Sequence, residues 1–187
     1  MQRISWEETR DRLRADHARL VDLRSYREQS KSQSAYLSHS FIAVLLHRLS
    51  YYFNCSGHPW LARFIRHFNL LITGADISEP ANLGAGLVII SPPGVAIMGR
   101  SGVNLTVMPC SGMGAEIGRY EDIGAGPGCC VVGDDVLLEP HSGVLGPVRV
   151  GNRVTIGSGV SVAKDVPDDY KVEGPKPRFL ARKDLSI

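Results

Sequence analysis

An aliphatic residue recurs at every sixth position through much of the second half of this chain. The recurring positions form one unbroken run: Val132, Leu138, Val144, Val150, Ile156 and Val162. A second run of mostly small or β-branched residues follows four positions after each of them: Val136, Ser142, Val148, Val154, Val160 and Val166. A six-residue period matches neither an α-helix nor an alternating hairpin strand. It is typical of short strands joined by tight corners, one hexapeptide to each side of a triangular coil, and therefore predicts a parallel β-helix of stacked coils.

The same step occurs earlier in the chain, at Ile77, Leu83 and Ile89. Over residues 90–131 the register is lost, although Ile117 and Ile123 are again six apart. The alternative fold is a β-sandwich with glycine-rich turns. It predicts turn signals about every 8–12 residues, so the six-residue spacing disfavours it.

The first third of the chain has the pattern of helices instead. Ser5 and Glu8 form a capping box for a solvated helix with one thin contact stripe. Apolar residues at helical spacing over 41–52 and 61–72 predict two further helices packed as a hairpin, with Arg63 and Arg66 on a solvated face. The predicted organisation is a helical N-terminal cap over residues 1–73 and a β-helix over residues 74–187.

Composition excludes several classes of function. The formal net charge is +2, which gives no argument for nucleic acid or for an acidic membrane surface as a partner. The first twenty residues are charged throughout, unlike a signal peptide, and the longest apolar stretch is too short to span a bilayer. The cysteines lack the spacing of a metal site, so we expect no metal and reduced thiols in a cytoplasmic protein; they are Cys55, Cys110, Cys129 and Cys130.

From about Ser34 to Leu180 the sequence resembles the serine acetyltransferase family and related small O-acetyltransferases. The resemblance rests on VLLHRLSYYF, HPWLARFIRHFNLLITGADI, LGAGLVI, the long regular run VVGDDVLLEPHSGVLGPVRVGNRVTIGSGVSVAKDVP, and VEGPKPRFL. It implies a left-handed parallel β-helix behind an α-helical cap, assembled as a homotrimer or a dimer of trimers. It also implies that CoA lies in a groove between neighbouring β-helices, with a small-molecule acceptor at the same interface.

In this family a histidine takes the proton of the acceptor hydroxyl as its oxygen attacks the acetyl thioester, and an aspartate orients that histidine. The resemblance places the aspartate at Asp76, but Ser91 stands at the histidine position. A second, acceptor-facing histidine matches Cys129, or Cys130 if the alignment slips by one. The arginine beside it becomes Gly128, and the aspartate beside the catalytic histidine becomes Ile90. Most residues that would recognise serine are therefore replaced, which predicts an acceptor other than serine.

The CoA side of the resemblance is better preserved. The turn Gly157, Ser158 and Gly159 leaves room for the pantetheine arm, and Lys164 and Arg178 are expected partners for the CoA phosphates. One coil earlier, where the family has small residues, this chain has Glu139-Pro140-His141. These side chains either narrow the thioester end of the tunnel or bring a replacement base into it.

Each candidate catalytic residue also has a structural interpretation. His141 is either the replacement base or an exposed corner residue stacked over Gly159. Cys129 is either a thiolate nucleophile or a small buried hydrophobic residue. Ser91 is either a nucleophile or a hydrogen-bond partner, and a serine without a base is a poor nucleophile.

Three functions follow from these observations. The first is an acyltransferase that moves an acyl group from acetyl-CoA, another acyl-CoA or an acyl-carrier-protein thioester to a hydroxyl or amine, using Asp76, Ser91, Cys129 and His141. The second is a non-catalytic trimer that keeps the fold for binding or assembly. The third is an enzyme that cyclises or releases a carrier-bound intermediate, with a positive docking face that includes Arg63, Arg66 and Lys164.

Overall fold

The structure, a computed structural model, describes residues 4–27 and 38–175 and consists of three helices followed by fourteen short strands. The helices are α1 (Trp6–Arg27), α2 (His39–Cys55) and α3 (Pro59–Thr73). The strands are β1 (Asp76–Ile77), β2 (Asn82–Leu83), β3 (Val88–Ile89), β4 (Ala96–Ile97), β5 (Arg100–Ser101), β6 (Thr106–Val107), β7 (Gly112–Gly114), β8 (Val131–Val132), β9 (Leu137–Leu138), β10 (Gly143–Leu145), β11 (Arg149–Val150), β12 (Thr155–Ile156), β13 (Ser161–Val162) and β14 (Lys171–Val172).

Strands three apart in the chain pair in parallel, except that β14 pairs with β12, and this produces three sheets around one axis. Sheet A has the order β1-β4-β7-β10-β13, sheet B the order β2-β5-β8-β11, and sheet C the order β3-β6-β9-β12-β14. The chain therefore runs from sheet A to B to C and back to A in each coil. We name the turns between the sheets the A–B, B–C and C–A corners. This is the predicted three-sided parallel β-helix behind a helical cap.

The six-residue run forms the interior of the later coils. Its members stack in register, for example Val144 on Val162 and Leu138 on Ile156. They are buried, together with the second run except for the partly buried Val160. Full burial of one such aliphatic side chain stabilises the fold by about 1.5–3 kcal/mol, so the repeat that identifies the fold also supplies its core.

The expectation that the register is lost over residues 90–131 was wrong for the first part of that range. Ile97, Ser101, Val107 and Met113 are buried on β4 to β7 and continue the coil. The strict six-residue step is absent from the sequence here because the C–A corner Ile90–Val95 has more residues than the later C–A corners, whereas the A–B corner at Gly99 has fewer residues than the later A–B corners. The chain then leaves the coil in an insertion, residues 115–130, before β8. Ile117 lies in this insertion and is 100% exposed, so its spacing to Ile123 has no structural meaning.

The helical cap has the predicted order. The Glu8 amide donates to the Ser5 hydroxyl at 3.0 Å, as in a capping box, but the Glu8 carboxylate accepts from Arg12 at 2.7 Å instead of reaching back. Helices α2 and α3 pack as a hairpin, in which Asn69 donates to the Ala43 carbonyl at 3.0 Å. The cap ends at Gly74, which has a φ of 75° and precedes β1; the division into two domains at residues 73 and 74 stays a prediction.

Helix α1 contacts the first coil through the predicted thin apolar stripe, in which Leu13 and Leu20 cluster with Val88, and also through charged groups. Arg48 and Asp16 form a buried ion pair with Nε–Oδ2 and Nη2–Oδ1 distances of 2.8 and 3.0 Å, and each side chain is 1% exposed. Arg48 also donates to the carbonyls of Leu83 and Gly84.

The first coil needs these donors because of how the coils pair. The strand amides of one coil donate to carbonyls of the next coil, as Gly84 does to Ser101 at 3.1 Å. The first coil has no coil before it, so its own carbonyls lack such donors. Arg12 supplies one to Leu83 at 3.0 Å and Arg19 supplies one to Gly86 at 2.6 Å. Among the described residues, no helix is both long and apolar enough to cross a membrane.

Candidate functional site

The C–A corners of successive coils lie above one another in register. The His141 amide donates to the Pro109 carbonyl at 3.1 Å, and the Gly159 amide donates to the Pro140 carbonyl at 3.0 Å. Neighbouring coils are about 4.8 Å apart in such a stack. The corners bring together four sequence positions that are far apart in the chain, and we call them the C–A column: Gly94, Cys110, His141 and Gly159. Ser91 lies in the first C–A corner, three residues before Gly94, and is not in this register.

Two members of the C–A column, Cys110 and His141, are exposed side chains on left-handed backbone, with φ values of 56° and 60°. Ser91, in the first C–A corner, is also exposed and has a φ of 59°. Such a conformation is uncommon for residues other than glycine, and here it allows a sharp corner that carries an exposed side chain. His141 lies at the corner one coil before Gly159, as its structural interpretation requires. Its exposure also leaves the imidazole open to a ligand in the column.

The two glycines of the proposed CoA turn differ in the space beside their Cα atoms: Gly159 has free space and Gly157 does not. A methyl group added at Gly159 would meet nothing within 4 Å, so the surface over this corner is free among the described residues. A methyl group at Gly157 would lie 2.7 Å from the Val172 carbonyl oxygen. Gly157 is therefore required by coil stacking rather than by space for pantetheine.

Glu139 does not obstruct the column as the sequence alone allowed. Its carboxylate accepts from both the backbone amide and the hydroxyl of Ser158, each at 3.0 Å. The Lys171 ammonium lies 3.9 Å from the same carboxylate. Glu139 is thus bound to the next corner, and His141 is the exposed polar side chain of its turn.

The predicted phosphate contact Lys164 lies on the opposite edge of sheet A. Lys164 belongs to an A–B corner and lines a cleft of about 640 Å³ with Arg149 and with Arg119 and Glu121 of the insertion. Arg178 lies outside the described residues. A side of five or six extended residues spans roughly 16–20 Å, so one protomer does not bring Lys164 next to Gly159.

Asp76 is held in an ion pair. Arg66 donates to its two carboxylate oxygens at 2.8 and 3.2 Å and to Glu79 at 2.8 Å. The hydrogen bond to Asp76 raises the pKa of Arg66. Burial alone would raise the pKa of Glu79, but hydrogen bonds from its own backbone amide and from Arg66 lower it. The prediction of a solvated face was therefore wrong for Arg66, because the carboxylates of Asp76 and Glu79 both bind its guanidinium group. Arg63 is exposed, and its Nε lies 3.4 Å from the Glu79 carboxylate.

Cys129 lies at the end of the insertion, away from the C–A column. The insertion is shaped by Asp122, whose carboxylate accepts from the amides of Gly124, Ala125 and Gly126 at 2.8, 3.2 and 3.0 Å. Burial raises the pKa of the half-buried Cys129 thiol, and the Asp122 charge raises it further. Cys130, the alternative alignment, is fully buried, and burial raises its pKa to about 12.

Cys110 is a member of the column for which the sequence predicted no role. Its thiol is exposed and lies one coil from His141. A signal for it is present in the sequence, because Pro109-Cys110-Ser111-Gly112 repeats the pattern of Pro140-His141-Ser142-Gly143. Two corners with the same pattern occupy the same place in successive coils.

These environments predict an order of thiol reactivity. Iodoacetamide at pH 7.5 should modify Cys110 first, Cys129 and Cys55 more slowly because burial raises the pKa of each thiol, and Cys130 only after unfolding. Peptide mass spectrometry over a time course measures the order, with urea-unfolded protein as the control in which all four react. Labelling of Cys130 in the folded protein as fast as Cys110 would contradict the arrangement.

The described residues contain no cluster of three or more histidine, cysteine, aspartate or glutamate side chains that could hold a metal ion.

Comparison with known proteins gives concordant results. The family model described as "Bacterial transferase hexapeptide (six repeats)" matches residues 129–164. A serine acetyltransferase of Mycobacterium tuberculosis is 31% identical over 160 residues, which cover 82% of this chain and 68% of that protein. A serine acetyltransferase of Synechococcus elongatus is 28% identical over 152 residues, covering 79% of this chain, and the chain spans only 59% of its length.

Solved structures agree in fold. The crystal structure of Neisseria gonorrhoeae serine acetyltransferase superposes with a TM-score of 0.79 at 24% identity, covering 91% of this chain and 66% of that one. This similarity confirms a left-handed parallel β-helix with a helical N-terminal part.

Proposed function

Because this chain belongs to the serine acetyltransferase family, we propose that it transfers an acyl group from a CoA thioester to a hydroxyl or amine of a small acceptor other than serine. The observation that carries the proposal is the C–A column, in which His141 is exposed between Cys110 and the open corner at Gly159. The proposal includes the identity of the acyl donor, the class of acceptor and the assembly of the chain into a homotrimer.

The position of His141 supports a changed acceptor. The family's base position corresponds to Ser91, and the corner of His141 lies two coils further along the stack. Two coil spacings amount to about 10 Å along the axis, and Ser91 lies three residues before Gly94, the position in register with His141. A base displaced by that distance toward the CoA turn takes its proton from a differently placed hydroxyl or amine, so the site fits an acceptor other than serine.

The chemistry requires one proton transfer and one bond exchange. The neutral imidazole of His141 accepts the acceptor proton while the oxygen or nitrogen attacks the thioester carbonyl. The carbon–sulfur bond then breaks, and the CoA thiolate leaves with the proton returned by the imidazolium. Gly159 leaves space for the pantetheine arm beside His141.

A complete site requires a second copy of the chain. The C–A column and the edge that carries Cys129 and Lys164 lie at opposite edges of sheet A within one protomer, whereas Asp76 lies at the start of β1, on the C–A side. In a homotrimer the C–A column of one protomer faces the A–B edge of its neighbour, which brings Lys164 to the CoA phosphates.

The test combines binding and turnover. Calorimetric titration with CoA and with acetyl-CoA should show binding, and mass spectrometry should show acyl transfer to at least one hydroxyl or amine from a panel that includes serine. An acyl-carrier-protein thioester offered in place of acetyl-CoA tests the alternative donor. His141→Ala should lower the rate about 100-fold with unchanged CoA affinity, whereas His58→Ala, an exposed histidine in the cap, should behave as wild type.

Two outcomes contradict the proposal. No CoA binding and no transfer from either donor would exclude the acyltransferase, and serine as the best acceptor would exclude the changed specificity.

A second candidate is a non-catalytic relative that binds without turnover. It is favoured by the serine at the histidine position and by the ion pair that occupies Asp76. It predicts CoA binding without transfer, and a biological role that survives both Cys129→Ala and His141→Ala.

A further inference from the structure

The Cys110 thiol and the His141 imidazole belong to the same position of successive C–A corners. The His141 amide donates to the Pro109 carbonyl at 3.1 Å, which holds the two corners in register. Strands β7 and β10 pair directly after these corners, with Gly112 opposite Gly143. The Cα atoms of Cys110 and His141 are therefore about 4.8 Å apart, which is one strand spacing. A thiol and an imidazole at that separation are within reach of each other.

Glycines in the neighbouring corners leave space on both sides of this pair. In the preceding corner, a Cβ atom added at Gly94 would lie 3.0 Å from the Cys110 Sγ atom, so the glycine provides the space beside the thiol. In the following corner, a methyl group at Gly159 would meet nothing within 4 Å. The thiol donates weakly to the Pro93 carbonyl at 3.9 Å. This contact is weak enough for rotation about χ1 to bring the exposed sulfur to the imidazole side.

The other three cysteines are less suited to act as nucleophiles. Cys55 and Cys129 are half-buried and Cys130 is buried, and burial raises the pKa of each of these thiols. A nucleophilic thiol needs both access to its substrate and an adjacent base. His141 is the only histidine after residue 67. Cys110 is therefore the cysteine of the β-helix that is both exposed and next to a histidine.

We propose that Cys110 accepts the acyl group of a CoA thioester when no acceptor is bound, with His141 as its base. The inference rests on the proposed function, because it uses the same donor and the same imidazole. The neutral imidazole takes the thiol proton while the Cys110 sulfur attacks the thioester carbonyl. The bond between that carbon and the CoA sulfur breaks, and the imidazolium returns the proton to the CoA thiolate. The products are acyl-Cys110 and CoA with a free thiol.

This step replaces one thioester by another. The bonds broken and formed are of the same kind, so the reverse step, in which CoA takes the acyl group back from Cys110, is also accessible. The additional activity is therefore an exchange of acyl groups between CoA molecules without any acceptor. An enzyme in which the acceptor attacks the CoA thioester directly, with no acyl-cysteine, catalyses no such exchange.

Isotope exchange by the full chain tests the inference. Acetyl-CoA is mixed with CoA that carries a heavy-isotope label in its pantetheine arm, and mass spectrometry follows the label into acetyl-CoA. Wild type should catalyse the exchange, and peptide mapping should locate an acetyl group on Cys110. Cys110→Ser and Cys110→Gly should lower the exchange to the rate without protein, and the glycine suits the φ of 56° at this position. Cys55→Ala, which changes a half-buried cysteine of α2, is the matched control and should exchange as wild type.

Chemical rescue tests the role of His141. His141→Ala should slow acetylation of Cys110 about 100-fold. Added imidazole should restore part of the lost rate, because it supplies a base in place of the missing side chain. A variant that is slow only because its corner has repacked would not respond to imidazole. Circular dichroism establishes that each variant is folded.

Three results would overturn the inference. They are an absence of exchange by wild type that acetylates an acceptor, which would leave the acyltransferase intact; exchange that persists in Cys110→Gly; and an acetyl group on Cys129 in place of Cys110. S-acetyl-N-acetylcysteamine, a thioester without the nucleotide, separates the two proposals. Acetylation of Cys110 by this thioester in a chain that binds no CoA would support the thiol–imidazole pair and refute the proposed donor.

Discussion

Replacing Asp16 by alanine is expected to lower the free energy of unfolding by roughly 3–5 kcal/mol, because it leaves a buried guanidinium without its carboxylate. Arg48 would keep its hydrogen bonds to Leu83 and Gly84, but their carbonyls carry no net charge. The Leu87 amide would also lose its acceptor, which is Asp16 Oδ1 at 2.7 Å. Urea unfolding followed by circular dichroism at pH 7.5 measures the change.

Two further variants make this prediction specific. Asp11→Ala removes an exposed partner of Arg14 on the same helix and should cost less than about 1 kcal/mol. The double variant Asp16→Leu with Arg48→Met removes both charges and should be more stable than Asp16→Ala. Equal stability of Asp16→Ala and Asp11→Ala would show that the buried pair contributes nothing.

Lowering the pH from 7 to about 4.5 is expected to destabilise the cap through His47. This side chain is fully buried, and neither ring nitrogen has a hydrogen-bond partner among the described residues. Burial, followed by the charges of Arg48 and Arg12, lowers its pKa to about 3. In the unfolded chain a histidine has a pKa of about 6.5.

The sign follows from proton uptake. Between about pH 6.5 and pH 3 the unfolded chain binds a proton at His47 that the folded protein does not, so stability falls as the pH falls. Above about pH 6.5 the side chain is neutral in both the folded and the unfolded chain, so His47 causes no loss of stability there. The loss approaches 1.4 kcal/mol for each pH unit below that, or about 2–3 kcal/mol at pH 4.5.

Urea unfolding at several pH values, compared between variants, isolates this contribution from the carboxylates that titrate in the same range. His47→Leu should flatten the dependence on pH, whereas His39→Leu, an exposed change on the same helix, should retain it. A parallel decline in wild type and His47→Leu would refute the assignment to His47.

The sequence predicted the repeat better than its interruptions. The run that ends at Val162 predicted the interior of the later coils because each residue obeys one local rule. The middle coils were not predicted because their corners differ in length. The corner before Val95 is long and the turn at Gly99 is short, so the aliphatic residues no longer recur at every sixth position. A strict period cannot follow a coil whose sides differ in length.

The candidate site was predicted in part. The resemblance located Asp76 and Ser91, and the departure from the family at Glu139-Pro140-His141 suggested His141. The structure places His141 in the C–A column, Ser91 out of register in the first C–A corner, and Cys129 across sheet A. Cys110 was missed because its partner in the pattern is 31 residues away, beyond the insertion. The pairing of Asp76 with Arg66 depends on the packing of α3 against the first coil, which no local spacing encodes.

The arginine contacts at the first coil have a consequence for assembly. A solenoid is open at both ends, and an open end is a template to which a foreign strand can add. In this molecule, guanidinium groups of Arg12, Arg19 and Arg48 occupy the acceptors that such a strand would use. A foreign strand therefore finds these three backbone acceptors already occupied at the capped end, which disfavours strand addition there.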